Sequence, residues 1–407
     1  MKPLRAAIVA VCDFDVNPMG GEVSLLRNLL SGSTGDPSTE YSLIGLSFNG
    51  EETGCWQEKV ISGSNYNWLP VASISQNLSR FVPLRLRMAL GLRKHSKQIS
   101  ERNFDIVYFH SAELFSPLRC LNVPLVYHVH GNPYYTVRMS RFPLLRTRPF
   151  TLFYDTVIES ALKGSDRIIW AACRSKDEYF DLVPHLKPTL EDKIDIVHSS
   201  FDAMLDLIQE ETLDSRFKYI ITVGRLSRIK HIDFILEVFA SIQKIRTDIR
   251  MLVCGSGEEE DALKEKANIL GCGKSVTFFG NVDKHRLASY LNQSRVFLFA
   301  SESEALSLVV LESLHMGTPV VSTSVGDVPL VIENEYVGSI VEGWDEKEFV
   351  QKAIHYLDAG EEELKTIRSA CGKAASRYTP ERMASEINKV LHSTYDASHK
   401  VQDADNK

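Results

Sequence analysis

No run of about 18 apolar residues occurs in the sequence, which excludes a helix able to span a bilayer. None of the seven cysteines (Cys12, Cys55, Cys120, Cys173, Cys254, Cys272 and Cys371) lies within four residues of another. That spacing excludes a thiolate metal knot and a small disulfide framework, and neither a metal nor another cofactor is expected. An odd, scattered set fits a reducing compartment, so the cytoplasm is the expected location. No repeat of fixed period is visible. Lys2 and Arg5 ahead of Ala6–Cys12 have the outline of a signal peptide. The apolar stretch is at the short limit, however, Asp13 and Asp15 close it, and no small-residue cleavage site follows. A buried first strand is expected there.

Acidic residues are scarce in one stretch: 76–148 hold 12 Lys and Arg against 3 Asp and Glu. Residues 1–200 balance at +2 and the remainder at −9, within a net charge of −7. Part of the first half can therefore meet an anionic surface, and no nucleic-acid partner is expected. What remains is ordinary for a globular chain: 407 residues, 44% hydrophobic and 24% charged, enough for two or three domains.

Short Val/Ile/Leu-rich runs alternate with helical patterns. Strands are expected at Ala6–Val11, Tyr41–Ser47, Ile106–His110, Leu125–His130, Arg167–Ala171 and Ile194–His198. A second series follows at Tyr219–Val223, Arg250–Cys254, Val276–Phe279, Val296–Ala300 and Pro319–Ser322. Such runs read as parallel strands buried on both faces, joined by right-handed crossovers. The fold class is therefore α/β, with two doubly wound, Rossmann-like domains facing a central cleft. The expected bounds are 1–202 for the first domain, 203–217 for a polar linker and 218–375 for the second. A C-terminal helix over 376–395 can cross back to the first domain, and 396–407 reads as a flexible tail. In such sheets ligands bind beyond the carboxyl ends of the strands.

The richest stretch is Phe299–Val321. A strand ends near Ala300 and a polar loop carries Glu304. Ser307 can cap a helix that contains Glu312, and Gly317 and Pro319 end it. Free N–H groups at that helix start, around Leu306, Ser307 and Leu308, favour a phosphate. Glu304 and Glu312 then stand on either side of it, one for a sugar and one for a ribose. A second strand runs into Gly224-Arg225-Leu226, with Lys230 shortly after. Without a metal, these two cations can neutralise a diphosphate. Arg228 reads as solvated. Gly20 and Gly21, in Asn17-Pro18-Met19-Gly20-Gly21-Glu22 after the first strand, permit close backbone approach to a ligand. His130 ends the strand Leu125–His130. His128 lies on the same side one pleat deeper, and His110 is a weaker candidate whose bland reading is a core histidine.

Together these motifs resemble the family 4 retaining glycosyltransferases of GT-B fold, the glycosyl transferases group 1, most strongly over 219–332. The resemblance implies that Glu304 contacts donor-sugar hydroxyls and Glu312 the ribose, and that Arg225 and Lys230 bind the diphosphate. It also implies that Gly20 and Gly21 face phosphate and acceptor, that His130 lies beside the transferred sugar, and that Asn281-Val282 holds the base through backbone groups. Glu258–Lys266, after Gly255-Ser256-Gly257, matches an amphipathic helix whose charges read as solvated. Three departures stand out. Ala305-Leu306-Ser307 replaces the usual Gly-Phe-Gly, His231 replaces a Gly, and Ser199-Ser200-Phe201-Asp202 replaces Asn-Gly-Val-Asp.

The implied function is transfer of a hexose from a UDP- or GDP-sugar to a sugar or polyprenyl-linked acceptor in polysaccharide or glycolipid synthesis. A GT-B nucleotide-sugar epimerase and a non-catalytic nucleotide-sugar-binding subunit are the alternatives. A peripheral membrane location is also open. Arg80, Arg85, Arg87, Arg93, Lys94 and Lys97 interleave with Leu78, Phe81, Leu84, Leu86, Met88, Leu90 and Leu92. Arg138, Arg141, Arg146 and Arg148 do so with Phe142, Leu144, Leu145 and Phe150. Such stretches can lie in an anionic membrane interface, or form an ordinary solvated helix packed on the sheet. Pro83 interrupts the first.

Overall fold

A computed structural model describes residues 2–15, 20–74, 83–138, 143–202 and 212–405. Asn17, Pro18, Met19, Leu78, Arg80, Phe81, Arg141, Phe142 and most of the expected linker lie outside them, as does the Leu144 side chain. Two compact units divide the chain. The first joins Met1–Ser199 with Pro380–Lys407, and the second is Ser200–Thr379.

In the first unit the strands are β1 (Leu4–Val9), β2 (Thr39–Ser47), β3 (Gln57–Ile61), β4 (Ser64–Ser73), β5 (Ile106–Phe109), β6 (Leu125–Val129), β7 (Arg167–Trp170) and β8 (Ile194–Ile196). They order as β3-β4-β2-β1-β5-β6-β7-β8. All neighbours are parallel except the β3–β4 pair at the edge. Helices α1 (Gly21–Gly32), α2 (Leu84–Lys94) and α3 (Arg148–Gly164) cover the sheet. Pro83 sits at the N-terminal boundary of α2, where its fixed φ and missing N–H cost the helix nothing.

The second unit carries β9 (Lys218–Val223), β10 (Ile249–Cys254), β11 (Val276–Gly280), β12 (Ser294–Phe299), β13 (Val320–Thr323) and β14 (Gly338–Val341), ordered β11-β10-β9-β12-β13-β14 and parallel throughout. Its helices include α4 (Ile232–Gln243), α5 (Glu260–Ile269), α6 (Lys284–Gln293) and α7 (Leu308–His315). The fold is thus α/β with two doubly wound, Rossmann-like sheets.

The division of the chain differs in detail from the sequence reading. Ser200–Asp202 falls in the second unit. There Phe201 stacks on His315 at 3.9 Å and Asp202 lies 3.8 Å from Lys284. The final helix, α8 (Pro380–Asp405), is helical well past the expected tail start at 396. It belongs to the first unit, where Met383, Ala384, Ile387 and Leu391 are buried with Leu25, Leu26 and Leu29 of α1. Gly32 makes this contact possible, since a Cβ there would lie 2.2 Å from the Pro380 carbonyl oxygen.

Candidate functional site

In the second unit, loops at the carboxyl ends of β9 and β12 are tied to each other. The Ile229 carbonyl accepts from the Glu302 amide at 3.0 Å and from Ser301 Oγ at 3.1 Å. This link brings Lys230 against Glu304, whose carboxylate accepts from the lysine ammonium. Both side chains are largely covered, at 22% and 16% exposure. Burial pushes Lys230 down to about 8. Two of the expected donor residues therefore stand together as an ion pair just ahead of α7.

His231, next in sequence, has φ 40°, the left-handed region where glycine is usual. Its ring bonds Glu302 Oε1 at 2.9 Å and lies 4.3 Å from the Trp344 ring. These contacts hold a backbone conformation that a non-glycine residue does not favour.

Ser307 occupies the N-cap position of α7, but its side chain makes no capping bond, which corrects the expected hydroxyl cap. Its carbonyl instead accepts from the amides of Val310 and Leu311. Leu306 and Ser307 are buried. The N–H groups of Leu308 and Val309, which open α7, come too early for an intrahelical carbonyl, and the helix dipole adds to their pull on an anion.

Glu312, inside α7, is 1% exposed. Its Oε1 accepts from Lys284, and its Oε2 is buried without a hydrogen-bond partner among the described residues. Burial pushes its carboxyl up, against the opposing pull of Lys284. An orphaned acceptor suits a ribose hydroxyl. Lys284 escaped the sequence reading. It is the first residue of α6, which Asp283 caps through the Arg286 amide.

Arg225 is not part of the Lys230–Glu304 pair. It is 64% exposed and bonds Glu258 at 3.1 and 3.3 Å. Glu258, read as solvated, thus has a specific partner. The cause is the closeness of two loops. A Cβ on Gly255 would lie 1.9 Å from the Gly224 carbonyl oxygen, and Leu226 N bonds Ser256 O at 3.0 Å. Asn281 Oδ1 accepts from Ser256 Oγ at 2.9 Å, and half-buried Val282 packs against the same core.

The first unit gathers a different set. His110 and His130 follow adjacent strands, and His110 Nδ1 lies 2.9 Å from His130 Nε2. His128 stacks on His130 at 4.5 Å and is hydrogen-bonded to the Tyr108 hydroxyl. His110 is therefore the direct partner of His130. Glu22, next to Gly20 and Gly21, completes the group: ligand atoms of Glu22, His110 and His130 lie within 4.8 Å of one another. Two imidazoles and a carboxylate so placed could hold a divalent cation or hydroxyl groups. Burial, reinforced by the charge of Arg85, pushes His130 down to about 4, so it is neutral at physiological pH. Burial pushes Glu22 up to about 7. Glu22 and His110 thus join His130 as candidates, the first not singled out from sequence and the second read there as the weaker one; His110 is 4% exposed.

The basic stretches are less free than their composition suggests. Arg85 bonds Glu113 and the Tyr154 hydroxyl, and Arg138 grips Asp155 through two bonds of 2.8 and 2.7 Å. Among the described residues no helix is long and apolar enough to cross a membrane. All seven cysteines are free.

Residues 205–377 match the family described as glycosyl transferases group 1. That match takes in 173 of the 407 residues, and the two doubly wound sheets are those of the GT-B fold. Over 176 residues it is 28% identical to a D-inositol 3-phosphate glycosyltransferase of Segniliparus rotundus, covering 42% of this chain and 39% of that one. The chain thus spans about two-fifths of the length of the curated relatives it matches. A sucrose-phosphate synthase from Thermosynechococcus elongatus shares the fold with a TM-score of 0.76 at 16% identity, over 97% of this chain and 100% of that one. The Anabaena protein HepE, solved with UDP and glucose, does so with a TM-score of 0.68 at 14% identity, over 95% and 99%.

Proposed function

We propose that this chain is a retaining, metal-independent hexosyltransferase. It moves a sugar from a UDP- or GDP-sugar to a lipid-linked or saccharide acceptor in polysaccharide or glycolipid synthesis, in the cytoplasm or on the inner face of a membrane. The observation that carries the reading is the Lys230–Glu304 pair ahead of the open start of α7, which offers a cation, a carboxylate and N–H donors to one diphosphate-sugar. The name of the Segniliparus relative, a glycosyltransferase, supports it.

In this reading the second unit holds the donor. Lys230 and the α7 amides take the diphosphate, and Arg225 joins by exchanging Glu258 for phosphate. Glu304 holds sugar hydroxyls, and the orphaned oxygen of Glu312 holds the ribose, with Leu306 and Val282 bordering nucleotide and base. The first unit holds the acceptor, where Gly20, Gly21 and neutral His130 line the approach. The bond from the anomeric carbon to the β-phosphate oxygen breaks with its electron pair on phosphate. The acceptor oxygen bonds the same face through an oxocarbenium-like state, and its proton passes to the departing phosphate. Lys230 and the helix start stabilise the charge that develops there, so positioning and electrostatics supply most of the rate.

A mass-spectrometric screen of UDP- and GDP-sugars identifies the donor. Donor turnover is then followed with and without acceptors, in buffer and in chelator, and NMR reads the product anomer. Binding of a donor, turnover indifferent to chelator and retained configuration are expected. An inverted anomer overturns retention, and loss of turnover in chelator overturns metal independence. Failure of every nucleotide sugar to bind overturns the reading itself.

A further inference from the structure

In the first unit, α2 and α3 flank a groove of about 840 Å³, within the range of about 300–1,000 Å³ for small-molecule sites. Its walls are apolar and wet. Leu86 and Leu90 of α2 are 49% and 54% exposed, and Phe153 of α3 is 63% exposed. Residues of this kind are ordinarily scattered singly over a surface, whereas here they border one depression. The floor is polar. Arg85 bonds Glu113 at 3.4 Å and the Tyr154 hydroxyl at 2.8 Å, and that hydroxyl donates to Glu113 at 2.7 Å. Glu113 Oε2 is buried and has no hydrogen-bond partner among the described residues. Ala112 and Glu113 of the lining follow His110 by two and three residues, so the floor adjoins the His110–His130 group. Arg93 stands exposed on the lining, in a stretch where basic residues outnumber acidic ones 12 to 3.

We propose that this groove binds the hydrocarbon chain of an anionic lipid acceptor, a choice between acceptors that rests on the transferase reading above. The apolar walls take the chain, and Arg85 and Arg93 draw the anionic head group toward His130 and Glu22. A saccharide laid along these walls would leave its hydroxyls unpaired. A peptide helix would find an apolar groove as well, but not the excess of positive charge around it matched to a phosphate.

The test uses the full chain and dodecyl phosphate below its micellar concentration, followed by displacement of an anionic naphthalene fluorophore. Butyl phosphate is the short-chain control. Dodecyl phosphate is expected to bind one to one, at least tenfold more tightly than butyl phosphate. Leu90→Glu, which places a like charge on the wall, and Thr156→Trp, which fills the groove, should each weaken it at least tenfold. Leu330→Glu, at a 48% exposed leucine of the second unit, should leave it unchanged. Thermal unfolding checks that each variant is folded. Equal affinity for the two phosphates, or full dodecyl phosphate binding in both groove variants, overturns the proposal. So does saturable binding of an amphipathic peptide helix that the groove variants abolish while dodecyl phosphate fails to compete. Calorimetry of the unaltered chain with UDP, run alongside, separates the two readings: UDP binding without dodecyl phosphate binding leaves the transferase and removes the lipid.

Discussion

Replacing Lys230 with Met removes the cation that faces the Glu304 carboxylate and, in the proposed mechanism, the departing phosphate. The structure gives this change a pH signature. Burial holds Lys230 at about 8 rather than 10.5. Between those values the unfolded chain keeps a proton that the folded chain has released, so stability rises with pH through that window and is lowered below about pH 8. The penalty on the buried charge amounts to at most about 3 kcal/mol. A nucleoside diphosphate offsets it by pairing with the ammonium and draws the lysine back up. Binding above about pH 8 must then take up a proton. UDP affinity of the unaltered chain should hold to about pH 7.5 and fall toward tenfold per pH unit above 8. Lys230→Met should be weaker by about 2–4 kcal/mol at pH 7, roughly 30- to 1,000-fold in Kd, and flat across that range. Calorimetry in buffers of different ionisation heat counts the protons. Lys230→Met combined with Glu304→Gln removes the orphaned carboxylate, so a folding defect in the single variant is told apart from a binding defect. A pH-independent affinity in the unaltered chain would refute the reasoning, as would an unchanged pH profile in Lys230→Met.

Glu304→Gln keeps its shape but weakens its grip on Lys230 and the sugar; turnover should fall by about 2–3 kcal/mol of transition-state stabilisation while the donor KM moves less than about threefold, as steady-state kinetics would show. Glu312→Gln should weaken UDP binding by about tenfold in calorimetry, since the ribose loses a charged acceptor. Glu258→Ala releases Arg225 and should tighten UDP by a few-fold; weaker binding would mean that Glu258 positions the arginine for phosphate. Gly326→Ala would put a Cβ 2.2 Å from the Ala305 carbonyl oxygen and 2.4 Å from that of Glu304, at φ 49°. It should cost more than about 2 kcal/mol, read as a fall of several degrees in Tm together with lost turnover.

Strands buried on both faces were legible in the sequence because continuous Val/Ile/Leu runs have few other uses. The β3–β4 pair was missed because Gln57–Ile61 is a half-exposed edge with polar alternation, and its signal lay in the turn at Ser62-Gly63, where φ is 49° and 81°. Four-residue β14 was too short to show a period. The same asymmetry holds at the site. Glu304, Lys230 and Glu312 sit in ordered motifs and could be named as candidates. Glu258, Lys284, Glu22 and His110 meet partners distant in sequence, at separations of 33, 28, 88 and 20 residues if measured to Arg225, Glu312, His110 and His130. No local pattern encodes such a partnership. The basic stretch shows the same limit: composition says nothing of partners, and the fold sets Arg85 beside Glu113 and Arg138 beside Asp155.

The replacement of Gly-Phe-Gly by Ala305-Leu306-Ser307 raises the question of how a bulkier loop can still present its backbone to a ligand. The answer lies across the loop. Gly326, without a side chain, lets the carbonyls of Glu304 and Ala305 approach, and the Asp327 amide fixes the position by donating to Ala305 at 2.7 Å. Leu306 packs into the core, at 6% exposure, so its bulk is taken up there. The Ser307 side chain makes no capping bond, so its hydroxyl does not compete for the first amides of α7. His231 follows the same logic. A left-handed residue other than glycine costs on the order of 1–3 kcal/mol, which its bond to Glu302 and its contact with Trp344 offset. The residue pinned by that arrangement is the neighbour of Lys230, and Glu302 is two residues from Glu304. In both departures, contacts from elsewhere in the second unit replace a missing glycine and bear on the backbone beside the Lys230–Glu304 pair.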